Sequence, residues 1–174
     1  MHRVWRNVYA QIDLKYATII IRDGDTPPNE LEVKIGEGNL SYTEAKNIEY
    51  TLDRGLLDEV REGDQVPVDA SLDFVWEYLK GSGGIPSVED ALKKRGEAAS
   101  WVSSDPDACR PYAVDLEIQY SPQPAACGDM EVITLQDFRY ESLEHDLRGG
   151  AVAVAGKCNV TEASVVRKTN STGS

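Results

Sequence analysis

The sequence has few of the residues on which most catalytic and metal sites depend. Only two histidines occur in 174 residues, and there is no Gly-x-Ser-x-Gly nucleophile motif, no phosphate loop with Gly-Lys-Ser/Thr and no Cys-x-x-Cys pair. His145 stands beside Glu144 and Asp146, but neighbours in an extended chain point in different directions and make a poor ligand set. The sequence therefore predicts no enzymatic activity, no metal and no cofactor.

Long hydrophobic runs are also missing. The apolar stretches ATIII and AVAVA have the length of a strand, so no membrane-spanning segment is predicted. The N-terminal sequence MHRVWRNVY lacks an apolar core of signal-peptide length, which predicts synthesis in the cytosol. The three cysteines are odd in number and widely spaced. Cys109 and Cys127 either form a disulfide in an oxidised particle or remain free thiols in a reducing cytosol.

Acidic residues are abundant and unevenly distributed. The chain has a net charge of −12, and residues 23–77 contain 15 acidic side chains against 4 basic ones. The two ends are basic, with net charges of +3 for residues 1–22 and +2 for residues 157–174. An acidic surface of this strength repels nucleic acid. The alternative is that these charges only solvate the outside of an antiparallel sheet.

The acidic region alternates apolar and polar residues as a half-buried strand does. The longest example is VPVDASLDFVWEY, residues 66–78, where the apolar side chains share one parity and Asp69, Asp73 and Glu77 share the other. A strand of 13 residues is about twice the usual length and favours a tall sheet or barrel. Shorter alternating segments surround Leu31, Tyr50 and Leu116.

The remaining elements predict a mainly β (α+β) fold in one domain, residues 16–166. Ser87 opens the one predicted helix, about residues 88–95, with Asp90 three residues later. Strands are predicted at residues 16–22, from Leu31, and at 66–78, 112–120, 131–139 and 150–160, with a loop around Glu144. Residues 1–15, with Trp5 and Tyr9, are predicted to form an N-terminal arm, and residues 167–174 a flexible tail.

The segment of residues 43–65 is long and charged, and it is hairpin-like around a turn at Asp53-Arg54-Gly55. Its apolar residues, which include Tyr50, Leu56 and Leu57, are more numerous than in a typical disordered segment. Long excursions in compact domains are usually functional or disordered. The composition favours a functional loop.

Two segments carry a resemblance to a known family. IRDGDTPPNELEVKIGEGNLSYTEAKNIEYTLDRGLLDEVREGDQVPVDASLDFVWEYL and FRYESLEHDLRGGAVAVAGKCNVTEASVV are similar to the major tail, or tail tube, proteins of tailed bacteriophages. The resemblance extends from about Thr18 to Val166. It implies an antiparallel β-sandwich or split barrel with one short helix, assembled into hexameric rings that stack into a hollow tube.

The resemblance also implies roles for particular residues. An acidic lumen lets DNA pass during ejection without specific binding, and its predicted lining residues are Glu32, Asp69, Asp73 and Glu77. The loop at 43–65 corresponds to an inter-ring loop, with predicted contacts at Tyr50, Arg54, Leu56, Leu57 and Arg61. The N-terminal arm, with Trp5 and Tyr9, is expected to bridge neighbouring subunits.

The implied partners are other copies of the chain and other tail proteins: a sheath if the tail contracts, a tape measure, a terminator, and a baseplate or tip. The implied location is the virion, after synthesis in the host cytoplasm. A capsid-decoration protein or a head-to-tail completion protein is the alternative, since both are small, acidic and β-rich. A small enzyme or calcium-binding β-domain, with Asp23-Gly24-Asp25 as a loose calcium site, is a third.

Overall fold

A computed structural model shows the fold and describes residues 17–33, 40–75, 85–121 and 130–168. The predictions for Trp5, Tyr9, Glu77 and Cys127 lie outside these residues. No helix among the described residues is both long and apolar enough to span a membrane.

Ten strands and one short α-helix are formed by the described residues. The strands are β1 (Ala17–Arg22), β2 (Glu30–Val33), β3 (Leu40–Thr43), β4 (Ile48–Asp53), β5 (Leu56–Glu62), β6 (Val68–Val75), β7 (Val114–Tyr120), β8 (Met130–Asp146), β9 (Ala151–Cys158) and β10 (Ser164–Lys168). The helix α1 spans Val88–Lys93, and a 3₁₀ turn follows at Gly96–Ala98. The mainly β class with one short helix is therefore confirmed.

Eight of these strands form one antiparallel sheet in the order β2-β1-β7-β8-β9-β6-β3, and β10 also pairs with β8. The first half of β8 pairs with β7 and β10, and its second half pairs with β9. β4 and β5 form a separate two-stranded sheet. One long strand thus joins the two halves of the main sheet.

Two irregularities in register allow β8 to pair with strands in both halves of the main sheet. The β7–β8 register shifts between Val114 and Leu116, and the β8–β9 register shifts between Tyr140 and Ser142. Asp137, beside the first shift, has a φ of 56°. Bulges of this kind bend a strand and re-aim its side chains. β8 therefore runs without a break to Asp146, and the predicted loop around Glu144 is wrong.

Buried side chains from both halves of the sheet form a single core. On β6, Val68, Ala70, Leu72 and Phe74 are buried and the intervening Asp69 and Ser71 are exposed, as the period-2 pattern predicts. Ile19 and Ile21 of β1 and Leu116 of β7 belong to the same cluster. Both halves of the main sheet therefore contribute to one core.

The helix begins at Val88 as predicted and ends at Lys93, two residues before the predicted end. The Ser87 side chain accepts a hydrogen bond from the Asp90 backbone N–H at 3.1 Å, which satisfies one free donor of the first turn. Lys94 ends the helix in the left-handed conformation, with a φ of 53°. The Tyr112 hydroxyl donates to the Ala91 carbonyl at 2.9 Å and ties the helix to the segment before β7.

β10 was not expected. Arg167 and Lys168, predicted to begin a flexible tail, are the last residues of this strand and pair with Glu131 and Met130 of β8. The strand follows β9 after residues 159–163 and continues along the same partner, β8. The sequence SVVRK is too short to show the alternation by which a strand is recognised, so the sequence does not predict β10.

Candidate functional site

The hairpin formed by β4 and β5 stands apart from the main sheet. Its two-residue turn is Arg54-Gly55, with φ values of 50° and 82°, as a tight hairpin turn of this length requires. At its base the Gly63 N–H donates to the Asn47 carbonyl at 2.8 Å. The predicted hairpin and its turn are confirmed. Two strands alone are marginally stable in water, so a partner surface would stabilise this hairpin.

One side of the hairpin is apolar and open to solvent. Tyr50 lies opposite Val60, and Leu52 lies opposite Leu57. Their exposed fractions are 61% and 58% for the first pair and 60% and 71% for the second. We call these four residues the apolar hairpin face. Exposed apolar residues that adjoin one another in this way are typical of interaction sites.

The other side of the hairpin is charged. Arg61 places its Nη2 2.5 Å from the Glu49 carboxylate, and the two residues face each other across the strands. Both side chains are largely exposed, so the pair contributes little to stability, about 0 to 1 kcal/mol. Arg54 lies in the turn, and Leu56 is 74% exposed opposite Asp53.

The structure thus brings the predicted hairpin residues together but not on one surface. Tyr50 and Leu57 belong to the apolar hairpin face, whereas Arg61 lies on the charged side and Arg54 lies in the turn. Leu52 and Val60 were missed as site residues. Two signals in the sequence point to them: both residues are apolar, and both lie an even number of residues from Tyr50.

A second surface is the outward side of β6 and the strands next to it. Asp69 and Asp73 project from the exposed parity of β6, and Ser71 lies between them. Across the sheet, Asp73 is in register with Ala153 of β9, which is in register with Glu144 of β8. In this row a carboxylate stands on each side of a small alanine side chain, so this part of the surface is negative. We call Asp69, Asp73 and Glu144 the acidic sheet face.

The predicted lumen residues are separated by this arrangement. Glu32 is exposed on β2, at the other end of the strand order from β6. Glu144 was missed because its segment was predicted to be a loop. Asp69 is in register with Lys157 of β9, which is in register with Arg139 of β8, so two cations stand at the edge of the acidic sheet face.

Other polar clusters have structural partners. Burial would raise the pKa of Asp23, but hydrogen bonds from Asn29, Val102 and Asp25 lower it, so its oxygens are already engaged. His145 Nε2 lies 3.3 Å from a Glu89 carboxylate oxygen. Within the described ranges, no three His, Cys, Asp or Glu residues come together as metal ligands.

The cysteines differ in their surroundings. Cys109 is exposed and Cys158 is buried, and both are free thiols. Burial, followed by the charges of Asp115, Asp137 and Asp69, raises the pKa of Cys158 to about 12. A thiol with that pKa is overwhelmingly protonated at neutral pH and therefore unreactive.

No family model matches the chain, and no curated protein matches it. One solved structure to which it is similar is a sheath/tube terminator of an extracellular contractile injection system, PVC, determined by cryo-EM in the extended state. The match covers 93% of this chain and 99% of that chain, with a TM-score of 0.50 and 10% sequence identity. At this identity the likeness concerns the fold, and it extends over nearly the whole of both chains.

Proposed function

We propose that the protein is a structural subunit of a phage tail or tail-like particle, and that it forms hexameric rings that stack into the tail tube. The observation that carries this proposal is the whole-length likeness in fold to a terminator of a sheath and tube. The resemblance of the sequence to tail tube proteins points the same way. Its partners are then other copies of itself and the neighbouring proteins of the tail.

The acidic sheet face supports passage of DNA through such a ring. Six copies would line a channel with carboxylates from β6 and β8, and like charges keep a phosphate backbone from adhering to the wall. The alanines of β9 leave that wall free of large side chains. On this proposal Asp69 and Asp73, with Glu77, face the lumen, and Glu32 contributes from β2.

The apolar hairpin face supports contact between subunits. Its four residues are between 58% and 71% exposed, although a hairpin of this kind needs a partner surface for stability. We propose that this face makes the main contact with the adjacent ring, and that Arg54 in the turn and Leu56 and Arg61 on the charged side border that contact. The arm with Trp5 and Tyr9 bridges neighbouring subunits.

A second candidate is the ring that ends the tube, a head-to-tail completion role. The named function of the solved structure favours it, since that protein is a terminator. Both candidates need a closed ring, which also removes exposed strand edges. They differ in one property, because tube subunits stack on one another and a terminator does not.

Electron microscopy of the purified, concentrated full-length protein in negative stain separates the candidates. We expect stacked rings or tubes with sixfold symmetry. Single sixfold rings that never stack would instead identify the terminator. Particles with no ring, both alone and inside an isolated virion, would contradict both roles and favour a decoration protein.

Charge reversal at the predicted lumen residues Asp69, Asp73 and Glu77 is expected to impair DNA ejection and to leave ring assembly intact. Asp69→Lys, Asp73→Lys and Glu77→Lys together would turn a repulsive wall into one that binds phosphate. The matched control replaces the same residues with Asn, Asn and Gln, which removes the charge without reversing it and should have a smaller effect. DNA release from purified particles measures the outcome. Normal release from the lysine variant would mean that these residues do not line the channel.

A further inference from the structure

β10 has an open edge. Within the described residues this strand pairs with β8 alone, so its other edge presents backbone groups without a strand partner. Two adjacent valines, Val165 and Val166, are 51% and 48% exposed there. An open edge with exposed apolar side chains readily accepts another strand.

A cleft lies beside the start of β10. It consists of two adjoining cavities of about 590 and 340 Å³ between the base of the β4–β5 hairpin and the turn at residues 159–162. Both cavities are lined by Gln65, Thr161 and Glu162. β10 begins two residues after Glu162, so the cleft lies beside the start of this strand.

The cleft is negatively charged. It contains the carboxylates of Glu44, Glu62, Asp64 and Glu162 against the single cation of Lys46. Glu44 accepts a hydrogen bond from the Ala163 N–H at 2.9 Å, and Glu62 lies 3.5 Å from Lys46 Nζ. Asp64 and Glu162 have no hydrogen-bonded or ionic partner among the described residues. An extended segment that carries arginine or lysine fits such a surface.

The same chain contains a segment of this chemistry. Residues 1–16, MHRVWRNVYAQIDLKY, hold three basic residues against one acidic residue, together with several apolar ones. They precede β1, whose first residue, Ala17, lies in the same cross-strand row as Arg167 of β10. Three strand spacings separate the two, about 14 Å, and 16 extended residues reach about 50 Å. The segment is long enough to reach an adjacent copy.

We propose that residues 1–16 of one copy dock in this cleft and along the β10 edge of a neighbouring copy, with Arg3 and Arg6 at Asp64 and Glu162. About half the surface of Val165 and of Val166 is exposed, so this edge can accept a further strand. Arg167 is exposed near the end of the strand, and its charge orients the arm with its arginines at the acidic end. This inference rests on the proposed assembly of copies and specifies one of its contacts.

The test measures binding of a fluorescently labelled peptide of residues 1–16 to the full-length protein by anisotropy. The acceptor carries R3E and R6E, so that its own arm competes weakly. We expect saturable binding that weakens about tenfold or more when the acceptor also carries D64K and E162K. A peptide with R3E and R6E should regain affinity for an acceptor that carries D64K and E162K but keeps its own Arg3 and Arg6, because that arm then competes weakly. The matched control acceptor carries E97K and E141K, two exposed positions that do not line the cleft, and should bind as the parent does.

The docking is overturned if the peptide does not saturate, if D64K and E162K leave its affinity unchanged, or if the control lowers it equally. Its failure can be distinguished from failure of the proposed function. Sixfold rings in the electron microscope without specific peptide binding would remove this contact and keep the ring. Specific binding without rings would keep the contact and remove the ring.

Discussion

Replacing Leu52 and Leu57 with serine is expected to abolish assembly of the subunits and to leave the subunit folded. These two leucines face each other across the β4–β5 hairpin, and 60% and 71% of their surfaces are exposed. Because they bury little surface in the single chain, the free energy of unfolding should change by less than about 0.5 kcal/mol. An assembly contact that buries them would lose much more.

The size of that loss follows from the burial of apolar area. A leucine that is fully buried gains about 1.5 to 3 kcal/mol, so two of them contribute about 3 to 6 kcal/mol to one contact. Each 1.4 kcal/mol is a factor of about ten in affinity, so one contact should weaken by about a hundredfold or more. A ring or stack repeats the contact in every subunit, so the assembled form should vanish at concentrations where the parent assembles.

Analytical ultracentrifugation measures assembly, and thermal unfolding measures the fold. The matched control substitutes the opposite side of the same hairpin, Thr51→Ser with Glu59→Gln, and should assemble normally. A stronger form replaces residues 48–62 with a tight two-residue turn. Asn47 and Gly63 are hydrogen-bonded at the base, so the shortened chain can close. Normal assembly from either the serine variant or the shortened chain would show that the apolar hairpin face makes no contact between subunits.

Much of the fold could be predicted because local chemistry and tertiary packing agree. β6 alternates between buried and exposed side chains from Val68 to Phe74, and one sheet face meets the core, so the period-2 signal is clean. Ser87 caps the helix through the Asp90 N–H, an interaction within four residues of sequence. The Arg54-Gly55 turn is equally local. No long-range information was needed for any of these.

The elements that were missed depend on distant contacts. β8 changes register at two points, and each bulge interrupts the alternation from which a strand is recognised. Glu144 was therefore assigned to a loop, and its place beside Asp73 across Ala153 was not foreseen. β10 has five residues and exists because β8 offers a pairing edge. Sequence periodicity shows which side chains share a strand face, but not which strands become neighbours.

Replacing Asp23 with alanine is expected to cause a large loss in the free energy of unfolding. Asp23 is 4% exposed and immediately follows β1. Its Oδ1 accepts from the Asn29 backbone N–H at 2.7 Å and the Asp25 N–H at 3.2 Å, and its Oδ2 accepts from Asn29 Nδ2 at 2.6 Å and the Val102 N–H at 3.1 Å. One carboxylate thus closes the turn after β1 and fastens the segment before β7 to it.

The backbone around Asp23 leaves no room for adjustment. The Gly24 N–H donates to the Val102 carbonyl at 2.9 Å, and a Cβ added at Gly24 would lie 2.1 Å from the Ser103 carbonyl oxygen. Because the two segments are this close, the donors freed by Asp23→Ala cannot all reach water. Unsatisfied buried donors cost about 1 to 3 kcal/mol each, so we expect a loss of about 3 kcal/mol in the free energy of unfolding. For a chain of this size that lowers Tm by about 6 to 12 °C.

The dependence on pH distinguishes a charged acceptor from simple loss of packing. Burial opposes the ionised form, yet the hydrogen bonds prevail and hold the pKa of Asp23 below its ordinary value of 3.8. The stability from this carboxylate is therefore fully present above about pH 5, and it is lost as the pH falls through the lowered pKa. Urea unfolding at pH 7 and pH 3 should give a smaller difference between parent and Asp23→Ala at the lower pH. The matched control is Asp25→Ala, since Asp25 is exposed and, within the part of the chain that the structure describes, its carboxylate accepts a hydrogen bond from the Thr26 N–H alone. An equal loss from both variants, or a difference independent of pH, would show that the Asp23 carboxylate does not hold these two segments together.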